Sequence, residues 1–367
     1  MTEALMVPAA GVPGEECRIN ALPEDVLLRA LSHLDALQVV QTCVLSRRWR
    51  GLWCSGALCR PSTPHAKHTE VGCDALFKVF VNRFLMLRNP VPLDEFNLGY
   101  YVQDDVSMDY DAESEDANLW ICHALQCNAR SVNVSVSWHA RLHLDSLVFT
   151  SKCVLNSLEL SSVVLFRGFF ANLQRGCTAL ERLSLFECPV NDVEIFSQTL
   201  KVFTIGSGCH FPIYERATIS IPSLVSLDYF SEKPIPLLLP NMESLQAASV
   251  SVNATNVNPV DDICQILRSL SGVTNLNFCY NREKLKMEKN VQWCPKFKNL
   301  TVLSLGEWCL YENFYALIVV LQNSPNLVKL TQELPEVHAS FVWIQKADST
   351  FHGDRRKIFH MQAPQDC

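Results

Sequence analysis

Cys54, Cys59, His65, His68 and Cys73 bring five metal-capable side chains into twenty residues. Zinc sites of this chemistry are usually announced by two cysteines spaced C-x-x-C, because one short turn then supplies two thiolates to a tetrahedron. No such pair is present, and Cys54 falls at the end of a stretch with helical spacing. We read the five as incidental thiols and histidines of a connector, and expect neither a metal nor a cofactor. A second set of ligands, Asp104, Asp105, Asp109, Asp111, Glu113, Glu115 and Asp116, lacks the glycine that a calcium loop needs at its sharp turn. It reads as a solvated insertion loop that could attract a basic partner. Gly206-Ser-Gly208 is too short to cradle a phosphate. The chain has no Walker loop, no G-x-G-x-x-G, no G-x-S-x-G and no H-E-x-x-H. Nothing in this inventory points to catalysis.

Binding chemistry is better represented. LSRRWRGLW, from Leu45 to Trp53, packs three arginines and two tryptophans into nine residues of a chain whose formal net charge is -7. Three readings fit: a nucleic-acid patch, a buried helix end, or a docking surface for another protein. Three arginines do not make the basic stripe that a polyanion partner requires. The residues before this stretch supply its setting. Pro23 suits the start of a helix, where its missing N–H costs nothing, and Glu24 and Asp25 follow where negative charge favours the helix dipole. Val26, Leu27, Ala30, Leu31 and Leu34 form an apolar stripe at helical spacing. Asp35 and Gln38 resemble a capping box that opens a second helix, whose face continues through Val39, Val40, Cys43 and Val44. Ser46 can cap a third, short helix that carries Arg47, Arg48, Trp49, Leu52 and Trp53. So small a cluster buries little surface alone and would gain from a partner.

LPEDVLLRALSHL followed by VLSRRWRGLW resembles the F-box of plant F-box/leucine-rich-repeat proteins, over about residues 18–56. The resemblance implies binding to the Skp adaptor of cullin–RING ubiquitin ligases. It assigns Leu22, Pro23, Val26, Leu27 and Leu31 to the adaptor contact. Val44, Leu45, Trp49, Leu52 and Trp53 would complete the surface or hold the third helix on it. On this reading the tryptophans are apolar anchors, a residue type enriched at interface hot spots, and the arginines rim them.

The rest of the chain repeats a template: apolar, two residues, apolar, one residue, apolar. Copies stand at Leu93-Phe96-Leu98, Ala129-Val132-Val134, Leu155-Leu158-Leu160, Leu180-Leu183-Leu185 and Leu200-Phe203-Ile205. Others follow at Leu224-Leu227-Tyr229, Met242-Leu245-Ala247, Val273-Leu276-Phe278 and Leu300-Leu303-Leu305, with a weaker one at Leu327-Leu330. From Leu155 the starts advance by 25, 20, 24, 18, 31, 27 and 27 residues, scattered around the 20–29 of leucine-rich repeats. The last two apolar positions lie two apart, so both face one side of a short strand, and stacked copies bury that side. Segments such as DVEIFSQ and NFYALIVVLQNSP read as helical or irregular returns. This region also resembles plant F-box/leucine-rich-repeat proteins, closest at GCTALERLSLFECPV and FKNLTVLSLGEWCLYENFYALIVVLQNSPNLVKL, from about residue 76 to 331.

The expected fold is α/β, an N-terminal three-helix F-box followed by an irregular leucine-rich-repeat solenoid. Residues 1–17 read as a flexible lead, 18–56 as the F-box, 57–75 as a linker, 76–333 as the solenoid and 334–367 as a divergent tail, partly disordered. Residues between the repeat leucines, Gln246 among them, point to the concave face. Arg182, Ser184, Asp228, Asn275 and Asn277 are therefore candidate target contacts, with Phe186, Phe230 and Trp308 as possible aromatic anchors. The resemblance implies a substrate-recognition subunit of a Skp–cullin–F-box ligase with an unknown protein target. The alternative is a repeat scaffold that assembles no ligase. Nothing suggests a nucleic-acid or membrane partner. The apolar fraction is 48% and the charged fraction 19%, enough for a sizeable core. The 16 cysteines are scattered, which fits small apolar residues in a reducing compartment, cytoplasm or nucleus.

Overall fold

The computed structural model describes residues 18–34, 36–55, 58–59, 73–87, 92–100, 110–136, 142–149, 152–212, 216–231, 237–252, 259–280, 293–333 and 358–362. It is a mixed α/β structure, with a helical cluster at the N-terminus and a large parallel sheet behind it. The cluster comprises α1 (Glu24–Leu31), α2 (Ala36–Gln41) and α3 (Arg47–Ser55), with 3-10 turns at Arg18–Ala21 and Thr42–Val44. Pro23 sits one residue before α1, in extended conformation (φ -58°, ψ 152°), and Glu24 and Asp25 occupy the first turn. Ser46 precedes α3, and its hydroxyl accepts a 3.5 Å hydrogen bond from the Trp49 N–H, as an N-cap does.

In chain order the strands are β1 (Leu58–Cys59), β2 (Glu95–Tyr100), β3 (Ser131–Val136), β4 (Leu142–Leu144), β5 (Ser157–Ser161), β6 (Val163–Leu165), β7 (Arg182–Phe186), β8 (Glu194–Phe196) and β9 (Val202–Ile205). They continue with β10 (Ala217–Ser220), β11 (Ser226–Phe230), β12 (Leu237–Leu238), β13 (Ala247–Val252), β14 (Asn275–Tyr280), β15 (Val302–Leu305), β16 (Lys329–Glu333) and β17 (Ile358–Gln362). The main sheet has 12 strands in the order β1-β2-β3-β5-β7-β9-β11-β13-β14-β15-β16-β17. Every pair in it is parallel until β17, which lies antiparallel to β16. Two small parallel sheets, β12-β10-β8 and β4-β6, line the return side. So do α4 (Cys73–Leu87), α5 (Tyr110–Gln126), α6 (Phe169–Gly176), α7 (Pro259–Ser269) and α8 (Tyr311–Gln322).

The register turns the sequence template into two buried columns. One runs Phe96, Val132, Leu158, Leu183, Phe203, Leu227, Ala248, Leu276, Leu303 and Leu330; the other runs Leu98, Val134, Leu160, Leu185, Ile205, Tyr229, Val250, Phe278 and Leu305. Apart from half-buried Leu330, each of these side chains is almost wholly shielded. One template copy needs correction. The strand expected from Met242-Leu245-Ala247 is instead Leu245-Ala248-Val250, with Ala248 beside Leu227 and Leu276. An alanine at the middle position weakens the apolar signal and lets the frame slip by three residues. With Leu245 as the start, the irregular steps of 18 and 31 become 21 and 28.

Alignment is enforced by the backbone as well. Eight carbonyls, those of Arg130, Asn156, Glu181, Lys201, Val225, Gln246, Thr274 and Thr301, each accept two N–H groups from the start of the next strand, at 2.8–3.1 Å. A side chain also reaches between steps. The buried Asp192 carboxylate, after β7, accepts the Gly168 N–H at 2.6 Å and the Phe170 N–H at 3.2 Å, so it caps the N-terminus of the preceding α6.

Several expected irregular stretches have regular structure. The acidic run ends inside α5, whose early turns contain Asp111, Glu113, Glu115 and Asp116; Asp104, Asp105 and Asp109 lie outside the described residues. The apolar positions Trp120, Ile121, Ala124 and Leu125 are buried and hold that helix in place. Asp116 also pairs with Lys78 of α4 at 3.1 Å. DVEIF contains β8 rather than a helix, whereas NFYALIVVLQ lies within α8. The sheet begins within the expected linker, because Leu58 and Cys59 pair with Glu95 and Phe96. In the tail, the described residues are those of β17.

The columns predict an asymmetric response to mutation. Leu183→Ala should cost about 2–5 kcal/mol through lost burial and a residual cavity. Ser184→Ala, on the opposite face of the same strand, should stay within about 0.5 kcal/mol. Urea midpoints of the two variants check this.

Candidate protein-interaction surfaces

The N-terminal cluster divides its apolar residues between an inside and an outside. Leu27 and Leu31 lie one turn apart on α1, Trp49 and Leu52 one turn apart on α3, and these four pack together as a small core. Their exposures are 1%, 6%, 6% and 3%. Leu27 and Leu31, expected at the partner contact, are thus covered from within the chain. Trp49 and Leu52 serve the other expected role, holding α3 in place. The Trp49 indole N–H is buried without an acceptor among the described residues, which costs part of what its ring gains. The Trp53 side chain lies outside the described residues.

Other apolar side chains stay open. Leu22 is 39% exposed, Val26 43%, Leu45 57% and Val44 87%, and Pro23 and Ile19 are exposed beside them. The Arg48 guanidinium donates to the Leu22 carbonyl at 2.7 Å. That bond ties the segment bearing Leu22 and Val26 to the one bearing Val44 and Leu45, and it explains one arginine of the basic run. α2 faces the other way. Its Ala36 belongs to the large core of the sheet, Val40 and Cys43 pack against that core, and Val39 touches both clusters. The metal-capable set cannot be placed: His65 and His68 lie outside the described residues, as do the side chains of Cys54, Cys59 and Cys73.

The open face of the main sheet presents a polar row between the two buried columns: Asn97, Asn133, Glu159, Ser184, Thr204, Asp228, Ser249, Asn277, Ser304 and Thr331. Ser249 occupies the place expected for Gln246, by the same frame shift. Arg182, Asp228 and Asn275 are exposed, and Ser184 and Asn277 half-buried. The aromatic expectations fare unevenly. Trp308 is no surface anchor: it is 2% exposed, its indole N–H donates to the Phe278 carbonyl at 3.3 Å, and its ring meets Phe278 and Trp293 edge-on. A tryptophan just past a strand turns inward here because its N–H finds a carbonyl there. Phe186 and Phe230 are half-buried. The Phe186 ring covers Gly206 so closely that a Cβ would not fit, which accounts for a glycine first weighed as part of a phosphate loop.

A groove of about 580 Å³ opens at the N-terminal ends of β3, β5 and β7, lined by Arg130, Ser131, Val154, Asn156, Ser157, Ala179 and Arg182. Arg182 donates to the Asn156 side-chain oxygen at 3.3 Å. Next to it, Lys201 and the Asn156 amide hold the exposed Glu181 carboxyl below the usual carboxylate range. Arg130 and Asn156 escaped sequence reading because each stands just before a strand, outside the alternating template. Their repeated place ahead of Ser131 and Ser157 was the available signal.

Against known proteins, residues 19–60 match the F-box domain model. The chain is 27% identical to an FBD-associated F-box protein of Arabidopsis thaliana, over 94% of this chain and 81% of that protein. It is 26% identical to an F-box/LRR-repeat protein of the same plant, over 78% of this chain and 67% of the relative. A meiotic F-box protein of Oryza sativa subsp. japonica is 26% identical over 85% of this chain and 70% of its own length. No solved structure matches. The chain therefore carries an F-box domain at its N-terminus and is a relative of the plant F-box/LRR-repeat proteins along most of its length.

The small F-box core predicts that Trp49→Ala costs about 3–5 kcal/mol and opens α1 and α3 together. Trp49→Phe keeps most of the burial and removes the orphaned donor, so it should be close to neutral. Amide hydrogen exchange of residues 24–55 reads both.

Proposed function

We propose that this chain is the target-binding subunit of a Skp–cullin–F-box ubiquitin ligase. Its residues 18–56 would dock on the Skp adaptor, and its sheet would be an irregular leucine-rich-repeat solenoid that selects a protein target. The reading rests foremost on one observation. The F-box closes its own core with Leu27, Leu31, Trp49 and Leu52, yet leaves Leu22, Val26, Val44 and Leu45 uncovered. Apolar side chains left open in this way, with Arg48 bonded to the Leu22 carbonyl beside them, suit a protein interface. Leu22, Pro23, Val26, Val44 and Leu45 meet the adaptor in this proposal, while the buried four keep α1 and α3 in the shape that presents them.

The chain does no chemistry of its own in this reading. It raises the effective concentration of a target lysine near a ubiquitin-conjugating enzyme delivered by the partner complex. Arg182, Ser184, Asp228, Asn275 and Asn277 form the proposed target face, with half-covered Phe186 and Phe230 beside them. The setting is a reducing compartment, cytoplasm or nucleus.

Co-purification with a Skp-family adaptor tests the proposal. The wild-type chain should retain it, and Val44→Asp combined with Leu45→Asp should weaken retention roughly tenfold or more with the circular dichroism unchanged. Arg182→Glu with Asn277→Lys should leave retention intact while reducing capture of ubiquitinated targets in cells with the proteasome blocked. A wild-type chain that fails to hold the adaptor rejects the ligase reading in favour of a scaffold that assembles none.

A further inference from the structure

Cys153 lies in the irregular segment that leads into β5, and Cys177 directly follows α6, one repeat further along. Their sulfur atoms stand 2.9 Å apart, inside the contact distance of two unbonded sulfurs and within an ångström of the roughly 2 Å bond of a disulfide. The backbone fixes this approach. The Cys153 N–H donates to the Gly176 carbonyl at 3.1 Å, and the Cys177 N–H to the Leu173 carbonyl at 2.8 Å. Exposure is divided between the two: Cys153 is half-buried and Cys177 is 1% exposed. One sulfur can therefore meet a small oxidant while the other waits beneath it.

We propose that Cys153 and Cys177 are a redox modification site, a dithiol that hydrogen peroxide converts to a disulfide and that a small thiol reductant restores. The Cys153 thiolate attacks one peroxide oxygen, the O–O bond breaks, and Cys153 becomes a sulfenic acid as hydroxide leaves and is protonated. The Cys177 sulfur then attacks the Cys153 sulfur, its own proton and the sulfenic hydroxyl departing as water. Two thiols and one peroxide thus give one disulfide and two waters. Sulfur chemistry at the site agrees with that order. The hydrogen bond from Cys177 lowers the pKa of the Cys153 thiol and so favours its thiolate, while the same bond and burial push Cys177 up. A second neighbouring pair, Cys188 and Cys209, is buried at both members, 0% and 6% exposed, and offers no entry. The disulfide would cross-link two successive repeats at the edge of the Arg130–Arg182 groove, independently of any adaptor bound to the F-box.

The full-length chain is treated with hydrogen peroxide, blocked with an alkylating agent, digested with trypsin and mapped by mass. We expect peptides 153–167 and 176–182 to be recovered joined and to separate after dithiothreitol, and an unalkylated, denatured sample of the oxidised chain to fall two thiols short of its 16 by Ellman titration. Cys153→Ser should lose the joined peptide and the thiol deficit. Separate alkylated peptides from the peroxide-treated wild type, or a joined pair that includes Cys188 or Cys209 in their place, overturns the proposal. Should Cys153→Ser fail to fold, the wild-type map and its reversal by dithiothreitol decide alone.

Discussion

Everything in this chain depends on the alignment of parallel strands that share one buried face. Parallel neighbours cannot be joined by a tight hairpin, so each step must leave the sheet, return along the other side and re-enter in register. A slip of one residue would turn every buried side chain of a strand to solvent. Two devices prevent it. The paired apolar columns make the slipped state costly, and at eight joints the carbonyl before one strand holds two N–H groups at the start of the next. The first acts through side chains and the second through backbone, so a weak side chain such as Ala248 is tolerated where the backbone clamp remains.

That division explains what was legible in the sequence. Wherever leucine, isoleucine, valine or phenylalanine fills both columns, the template located the strand. At Met242-Leu245-Ala247 it slipped, because Ala248 carries too little apolar signal to compete with Met242. The outward row followed from the same alternation, and inherited the same slip at Gln246. Residues beyond the strand ends were harder. Trp308 turns inward because the Phe278 carbonyl accepts its N–H, a long-range partner that no local pattern announces. The acidic residues that read as a loop begin a helix, because the apolar positions that hold α5 lie further along, at Trp120 and Ile121.

The N-terminal residues tell a similar story. Composition showed that this stretch is apolar and cationic, but only packing separates the side chains that build the cluster from those it displays. Leu27 and Val26 are sequence neighbours with opposite fates, 1% and 43% exposed, because a helix turns by more than a quarter of a circle at each residue. The F-box match and the relatives in Arabidopsis and rice place this cluster in a known module. The open strip of Leu22, Val26, Val44 and Leu45 gives the proposed docking its physical basis.

The packing of α2 against the large core carries a mechanical corollary. Ala36 lies in the large apolar core, and Val39, Val40 and Cys43 pack against it, so pulling the F-box away from the sheet would expose those side chains to water. On the proposed function, the distance from an adaptor on α1 and α3 to a target on the sheet then depends on how many strands lie between them. Reach in such a lever changes by adding or removing rungs.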